Sequence, residues 1–313
     1  ENNPHIWSPG IKLGVQRGSW FHKTECFGPV LGLIRANNLY DAMQIQNDSD
    51  FGLTGGIHSL DAREVSYWRE LVEVGNAYIN RPITGAIVRR QPFGGWKNSC
   101  FGPGAKAGGP NYVSLFGQWR QKIPPHYTAD LGEGVHSLLT RLQSTVAQPK
   151  LLEAAAGSFA YWMEREFKIE HDPTALLGEV NHFRYLPHKR ILVRTSSLDA
   201  FDIAIILLAA ETAGVLVELS SPKVLTYSGV SVTVESEQQL IKRLCDSTKI
   251  YSSIRAIKPS DPLCRAANDA AIQLIDWKVL MNGRLELLHY FCEQSISECT
   301  HRYGNVIARV MSI

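Results

Sequence analysis

Apolar positions along this chain keep two rhythms in turn, a short strand-length run and a three-to-four residue helical repeat, and their order predicts an α/β protein. PVLGLIR at 29–35 is an apolar run of strand length. Asn38 to Gln46 follows as a short helix, with Leu39, Ala42 and Met43 at helical spacing. GLTGGIHS at 52–59 reads as a glycine-broken strand. Asp61 then stands as an N-cap with Glu64 three positions on, the arrangement of a capping box. Val65, Trp68, Leu71 and Val72 mark one buried helical face, and Gly75 supplies a C-terminal stop. NAYIN at 76–80 is the next strand.

Residues 81–112 break the rhythm. They hold Pro82, Pro92, Pro103 and Pro110 with seven glycines, which predicts a long irregular segment. Long loops in compact domains often carry function. From about 117 to 150 the chain is polar, with IPPHYT at 123–128 and QP at 148–149, so a linker is expected at 119–149.

The alternation resumes beyond it. Residues 150–171 predict a helix with Leu152, Ala155, Phe159, Trp162 and Phe167 as apolar positions. KRILVRT at 189–195 is a strand, DAFDIAIILLAAETA at 199–213 an apolar helix ended by Gly214, and VLVEL at 215–219 another strand. VSVTV, the helix ESEQQLIKRLC and the strand KIYSSIRAI continue the pattern. A Rossmann-like second domain is therefore expected over 150–313, after a first domain over 1–118.

Composition narrows the function classes. The chain has 313 residues, 44% hydrophobic and 20% charged, with a net charge of +2, and its basic residues are scattered. That argues against a nucleic-acid surface. No apolar run approaches the roughly 18 residues that would span a bilayer. The polar ENNPH start at Glu1 has no signal-peptide pattern and reads as a cut or fragment boundary. The six cysteines (26, 100, 245, 264, 292, 299) form no CxxC pair, and Cys292, Cys299 and His301 lack zinc-site spacing, so reduced thiols and no metal are expected.

Four motif readings fail on spacing. FGPGAKAGGPNY at 101–112 is no phosphate loop, because Lys106 is followed by Ala107 and Pro110 blocks an immediate helix. No GxSxG or HxxxH occurs, and no GxGxxG follows the strand at 189–195.

Two motifs carry chemistry. ECFGPV at 25–30 joins a carboxylate, whose two acceptor oxygens match a vicinal diol, to a flat apolar side chain. TGAIVRRQPFGG at 84–95 offers adjacent backbone N–H groups beside small residues, an anion-binding concavity. In this order, within YINRPITGAIVRRQPFGGWKNSCFGPGAKAGGPNY at 78–112, they resemble the aldehyde dehydrogenase superfamily. The similarity is strongest to the glutamate-semialdehyde dehydrogenase half of the bifunctional proline utilisation A family, in its long form.

The resemblance implies the following. The fold is the C-terminal part of an aldehyde dehydrogenase catalytic domain followed by an aldehyde-dehydrogenase-like domain without catalytic function. Glu25 accepts hydrogen bonds from the nicotinamide ribose of NAD, and Phe27 packs beside the nicotinamide ring. Gly85 and Ala86, helped by Thr84, hold the substrate α-carboxylate, and Phe93 walls the aldehyde's carbon chain. The substrate is glutamate semialdehyde, which is oxidised to glutamate. FAD belongs only to a proline-oxidising half. Neither Cys26 nor Cys100 sits in the family's nucleophile motif, so this chain is expected to carry no catalytic residue and to be inactive alone. The other expected partners are the rest of a bifunctional polypeptide and a second copy of the chain, in a bacterial cytoplasm, with a membrane-peripheral intact enzyme as the alternative. Where the family's nucleotide-binding strand ends in a ribose-reaching Lys, Arg194 stands here, so 180–313 is not expected to bind NAD. Asp199 is expected to cap the helix after it and repel phosphate. The alternatives are a pseudo-dehydrogenase module that stabilises or oligomerises a partner, and a monofunctional semialdehyde dehydrogenase.

Overall fold

The computed structural model describes residues 5–100, 102, 104–195, 200–225, 230–246, 250–302 and 305–306. The chain divides into two compact units that are not consecutive in sequence. One is Glu1–Phe101 with Asp172–His182 and Ser295–Ile313; the other is Gly102–His171 with Phe183–Gln294. This departs from the expected split into 1–118, a linker, and 150–313. The physical reason is strand pairing. Residues 295–298 of the strand Phe291–Cys299 lie parallel to Asn76–Ile79, which ties the end of the chain to the first unit.

In the first unit, Gly10–Lys12 pairs in parallel with Val30–Gly32. The helix Leu39–Asn47 starts where the Asn38 side chain accepts the Asp41 N–H. Thr54–Ile57 pairs in parallel with Asn76–Ile79, which pairs in parallel with residues 295–298. Met43, Trp68, Val72, Val74, Ala77, Ile79 and Ile296 form the unit's core.

The helix Ala62–Leu71 has the expected Asp61 cap, which accepts the Arg63 N–H. The capping box is relayed, however. Glu64 accepts from the Ser59 hydroxyl, and that hydroxyl oxygen in turn accepts the Asp61 N–H. Trp68 and Val72 are buried as expected, but Leu71 is 41% exposed and ends the helix. Gly75 opens the next strand instead of stopping the helix, its N–H donating to Gly52 O.

The second unit is built on a five-stranded parallel sheet in the order Val232–Val234, Leu216–Ser221, Arg190–Thr195, Ser253–Ile257, Gln273–Ile275. The helix Ala200–Ala213 is apolar on every side and is accordingly buried against the helices Glu133–Gln143 and Pro149–Trp162. Glu133–Gln143 corrects the expected linker. Val135, Leu138, Leu139 and Leu142 repeat at helical spacing and enter the main core. Gly214 closes Ala200–Ala213 in the left-handed region, at φ +69°. Asp199 lies outside the described residues. Among the described residues no helix is long and apolar enough to cross a membrane.

Candidate functional site

Both chemical motifs belong to the first unit, each on its own loop. Glu25 and Phe27 sit between the short helix Trp20–Lys23 and the strand Val30–Gly32. The loop is held at its exit, where Val30 N–H donates to Gly28 O at 2.8 Å and Gly10 N–H donates to Pro29 O at 2.9 Å. Glu25 is exposed, and among the described residues its carboxylate has no hydrogen bond or ion pair. Phe27 is 95% exposed. A free carboxylate two residues from a bare aromatic face fits a diol and a flat ring.

Thr84, Gly85 and Ala86 share the exposed loop that follows Asn76–Ile79, and Phe93 lies at its return. Gly85 has φ +81°, and a Cβ built there would meet nothing within 4 Å. Space would admit a side chain at 85, but the left-handed backbone resists one. Among the described residues, the N–H groups of Gly85 and Ala86 have no partner in the protein. Two successive free N–H groups around a left-handed glycine make a nest for an anion. The next N–H, that of Ile87, is already engaged by the Gln91 side chain at 2.9 Å.

The foot of this loop is braced by residues that the sequence reading missed. Asn76, 1% exposed, donates to Leu53 O and to Gly94 O, at 2.8 and 3.1 Å. Ser295 Oγ donates to Pro92 O at 2.5 Å. Arg90 donates to Glu179 at 2.6 Å, and Arg81 donates to Ser297 Oγ at 2.5 Å. Burial pushes the Glu179 carboxyl up, but the hydrogen bonds from Arg90 and Asn181 and the charges of Arg90 and Arg81 outweigh it and hold it below its ordinary value. The partners of Arg90, Ser295 and Arg81 are separated by 89 to 216 residues, so nothing local announces them. Only the position of Gln91 within RRQPFGG could have drawn attention to it.

Residues 1–121 match the family described as "Aldehyde dehydrogenase family". These 121 residues are similar to the aldehyde dehydrogenase family. The 1-pyrroline-5-carboxylate dehydrogenases of Bacillus cytotoxicus and Bacillus cereus (strain AH187) are each 42% identical to this chain over 107 residues, covering 34% of this chain and 20% of theirs. The structure of proline utilization A from Corynebacterium freiburgense is 42% identical and superposes with a TM-score of 0.78, covering 95% of this chain and 28% of that one. The likeness to that protein therefore extends well past residue 121. The chain spans about a fifth of the length of the curated relatives and 28% of the proline utilization A chain.

Beyond residue 121, the second unit's parallel sheet ends in its own polar cluster. Ligands of open α/β sheets bind beyond the carboxyl ends of the strands. Here Arg194, 4% exposed near the end of Arg190–Thr195, donates to Ser220 Oγ at 2.8 Å and to Glu235 O at 3.1 Å. Ser220 donates to Glu235 Oε1 at 2.7 Å, and Arg243 pairs with the same carboxylate at 2.6 Å. Arg243 also donates to Tyr251 Oη, whose hydroxyl donates to Glu218 at 2.6 Å. These side chains satisfy one another.

Proposed function

We propose that this chain is the substrate-anchoring part of an NAD-dependent dehydrogenase that oxidises L-glutamate γ-semialdehyde to L-glutamate within a bifunctional proline-catabolic polypeptide. The observation that carries the reading is the pair of free N–H groups at Gly85 and Ala86 on a glycine-turned loop. They are two donors, pre-set for a carboxylate, in a family whose reaction needs only an aldehyde.

Glu25 would accept hydrogen bonds from the ribose hydroxyls of the nicotinamide nucleotide, and Phe27 would pack beside the ring. NAD+, when bound, supplies the hydride acceptor. Gly85 and Ala86 hold the α-carboxylate, Thr84 adds a hydroxyl donor at the loop's entry, and Phe93 excludes water beside the carbon chain. Fixing the far end of the substrate orients its aldehyde carbon, which lowers the entropic part of the barrier. The thiolate that attacks that carbon and its general base are assigned to the rest of the polypeptide, as is FAD.

For residues 183–294 the favoured reading is a non-catalytic one, a nucleotide-binding fold retained as scaffold. Its support is the self-satisfied Arg194–Ser220–Glu235 cluster. Such a scaffold would serve the intact polypeptide or a second copy of it.

The test is an assay of the full polypeptide that carries this chain, with glutamate semialdehyde and NAD+. NADH should form, and the 313-residue chain alone should give none. No NADH from the full polypeptide would refute the proposal. NADH from the isolated chain would refute the placement of the thiolate.

A further inference from the structure

Gln91 is 2% exposed, and both ends of its amide are used. Its Oε1 accepts the Ile87 N–H at 2.9 Å, the first N–H after the two free ones. Its Nε2 donates to Asn181 Oδ1 at 2.8 Å and to Ser297 Oγ at 3.2 Å. The Ser297 hydroxyl donates to the same Asn181 oxygen at 2.8 Å. Asn181 Nδ2 passes the chain on to Glu179 at 3.0 Å, where Arg90 is bound. Flipping the Gln91 amide would set a donor against the Ile87 N–H and an acceptor against Asn181 Oδ1, so the network admits one orientation.

The loop in front of this network has little else to hold it. Residues 82–89 are all exposed, and Gly85 and Arg89 both have positive φ. The internal bonds of the loop are the turn Arg90 N–H and Gln91 N–H to Ile87 O, at 3.0 and 2.8 Å, together with the Gln91 side chain. An unbraced loop of this kind would have to be ordered by the ligand, and that ordering weakens binding.

We infer that Gln91 is the positioning residue of the carboxylate-anchor loop, and that the segments 179–181 and 297, remote in sequence, set selectivity for carboxylated aldehydes through it. This rests on the proposed function. Gln91 touches neither substrate nor the reacting atoms in this account. It takes Ile87 N–H out of the nest and leaves those of Gly85 and Ala86 presented. Its loss therefore acts on the binding of the carboxylate and spares the chemical step.

The experiment is steady-state kinetics of the full-length polypeptide carrying Gln91→Ala, with glutamate semialdehyde and with butanal, a carboxylate-free aldehyde. The expected result is a KM for glutamate semialdehyde raised about tenfold, the scale of one hydrogen bond to a charged group. The kcat for that substrate and kcat/KM for butanal should change by less than about twofold, because a lost ground-state contact leaves the chemical step alone. Equal losses on both aldehydes would show a merely structural side chain and overturn the inference. So would no change on either. Should Gln91→Ala precipitate, Ser297→Ala, which leaves the Ile87–Gln91 bond in place, is read for the same split. Ala86→Leu measured alongside separates the two ideas. Discrimination lost in Ala86→Leu but kept in Gln91→Ala sinks only the positioning role. Discrimination kept in both sinks the anchor itself.

Discussion

Arg194 Nη1 lies 2.8 Å from Ser220 Oγ, and the guanidinium is spent inside the protein. Burial lowers the Arg194 pKa, and the charges of Glu235 and Glu237 oppose that shift. Removing the guanidinium would leave Glu235 O and Ser220 Oγ with a lost donor in a buried place. Arg194→Met should therefore destabilise the protein by about 2–4 kcal/mol. The KM for NAD+ in the full polypeptide should stay the same. Thermal unfolding and NAD+ kinetics on one preparation check both, and a raised KM with an unchanged melt would reassign Arg194 to the cofactor.

His188 gives the second unit an acid sensitivity. Burial lowers its imidazole pKa from 6.5 to about 4, and its Nδ1 lies 3.5 Å from Cys292 Sγ. The folded-state pKa is below the unfolded one, so the stabilisation is full above pH 6.5 and is lost as pH falls toward 4. His289, also lowered by burial, adds in the same direction. Stability should fall by about 1.4 kcal/mol per pH unit for each such group in that window. His188→Leu should flatten the slope between pH 6.5 and 5 by one proton's worth. An unchanged slope in the variant would mean that His188 is protonated in the folded state.

Glu25 is exposed and has no partner among the described residues, so its replacement should leave stability alone. In the full polypeptide, Glu25→Ala should raise the KM for NAD+ by about 10-fold or more, the loss of hydrogen bonds to a charged acceptor. A KM unchanged from wild type would leave Glu25 as a solvated loop carboxylate.

What could be read from the sequence was local. Trp68 repeats with Val65 and Val72 over two turns, and Gly85–Ala86 sits in a motif of twelve consecutive residues, so both were legible. The parallel order of the second sheet follows from strands separated by crossover helices. The helix over 133–143 had its signal in Val135, Leu138, Leu139 and Leu142, but the polar residues on either side hid it. Leu71 kept the helical period yet fell on the last turn, where the face no longer meets the core. The strand Glu179–Pro187 and the return of residues 295–298 to the first unit were not legible. Neither was the Gln91–Asn181–Ser297 triangle, because hydrogen bonds across 90 and 206 residues leave no periodic trace.

The central claim is that residues 84–86 recognise a carboxylate. The most direct measurement is the ratio of kcat/KM for glutamate semialdehyde to that for butanal, in the full polypeptide with and without Ala86→Leu. A leucine on the exposed loop keeps the fold but covers the N–H groups that the substrate must approach. The account predicts that kcat/KM for glutamate semialdehyde falls about 10–100-fold, one charge-assisted hydrogen bond or two, while that for butanal falls far less. An equal fall for both aldehydes, or none for either, would contradict it.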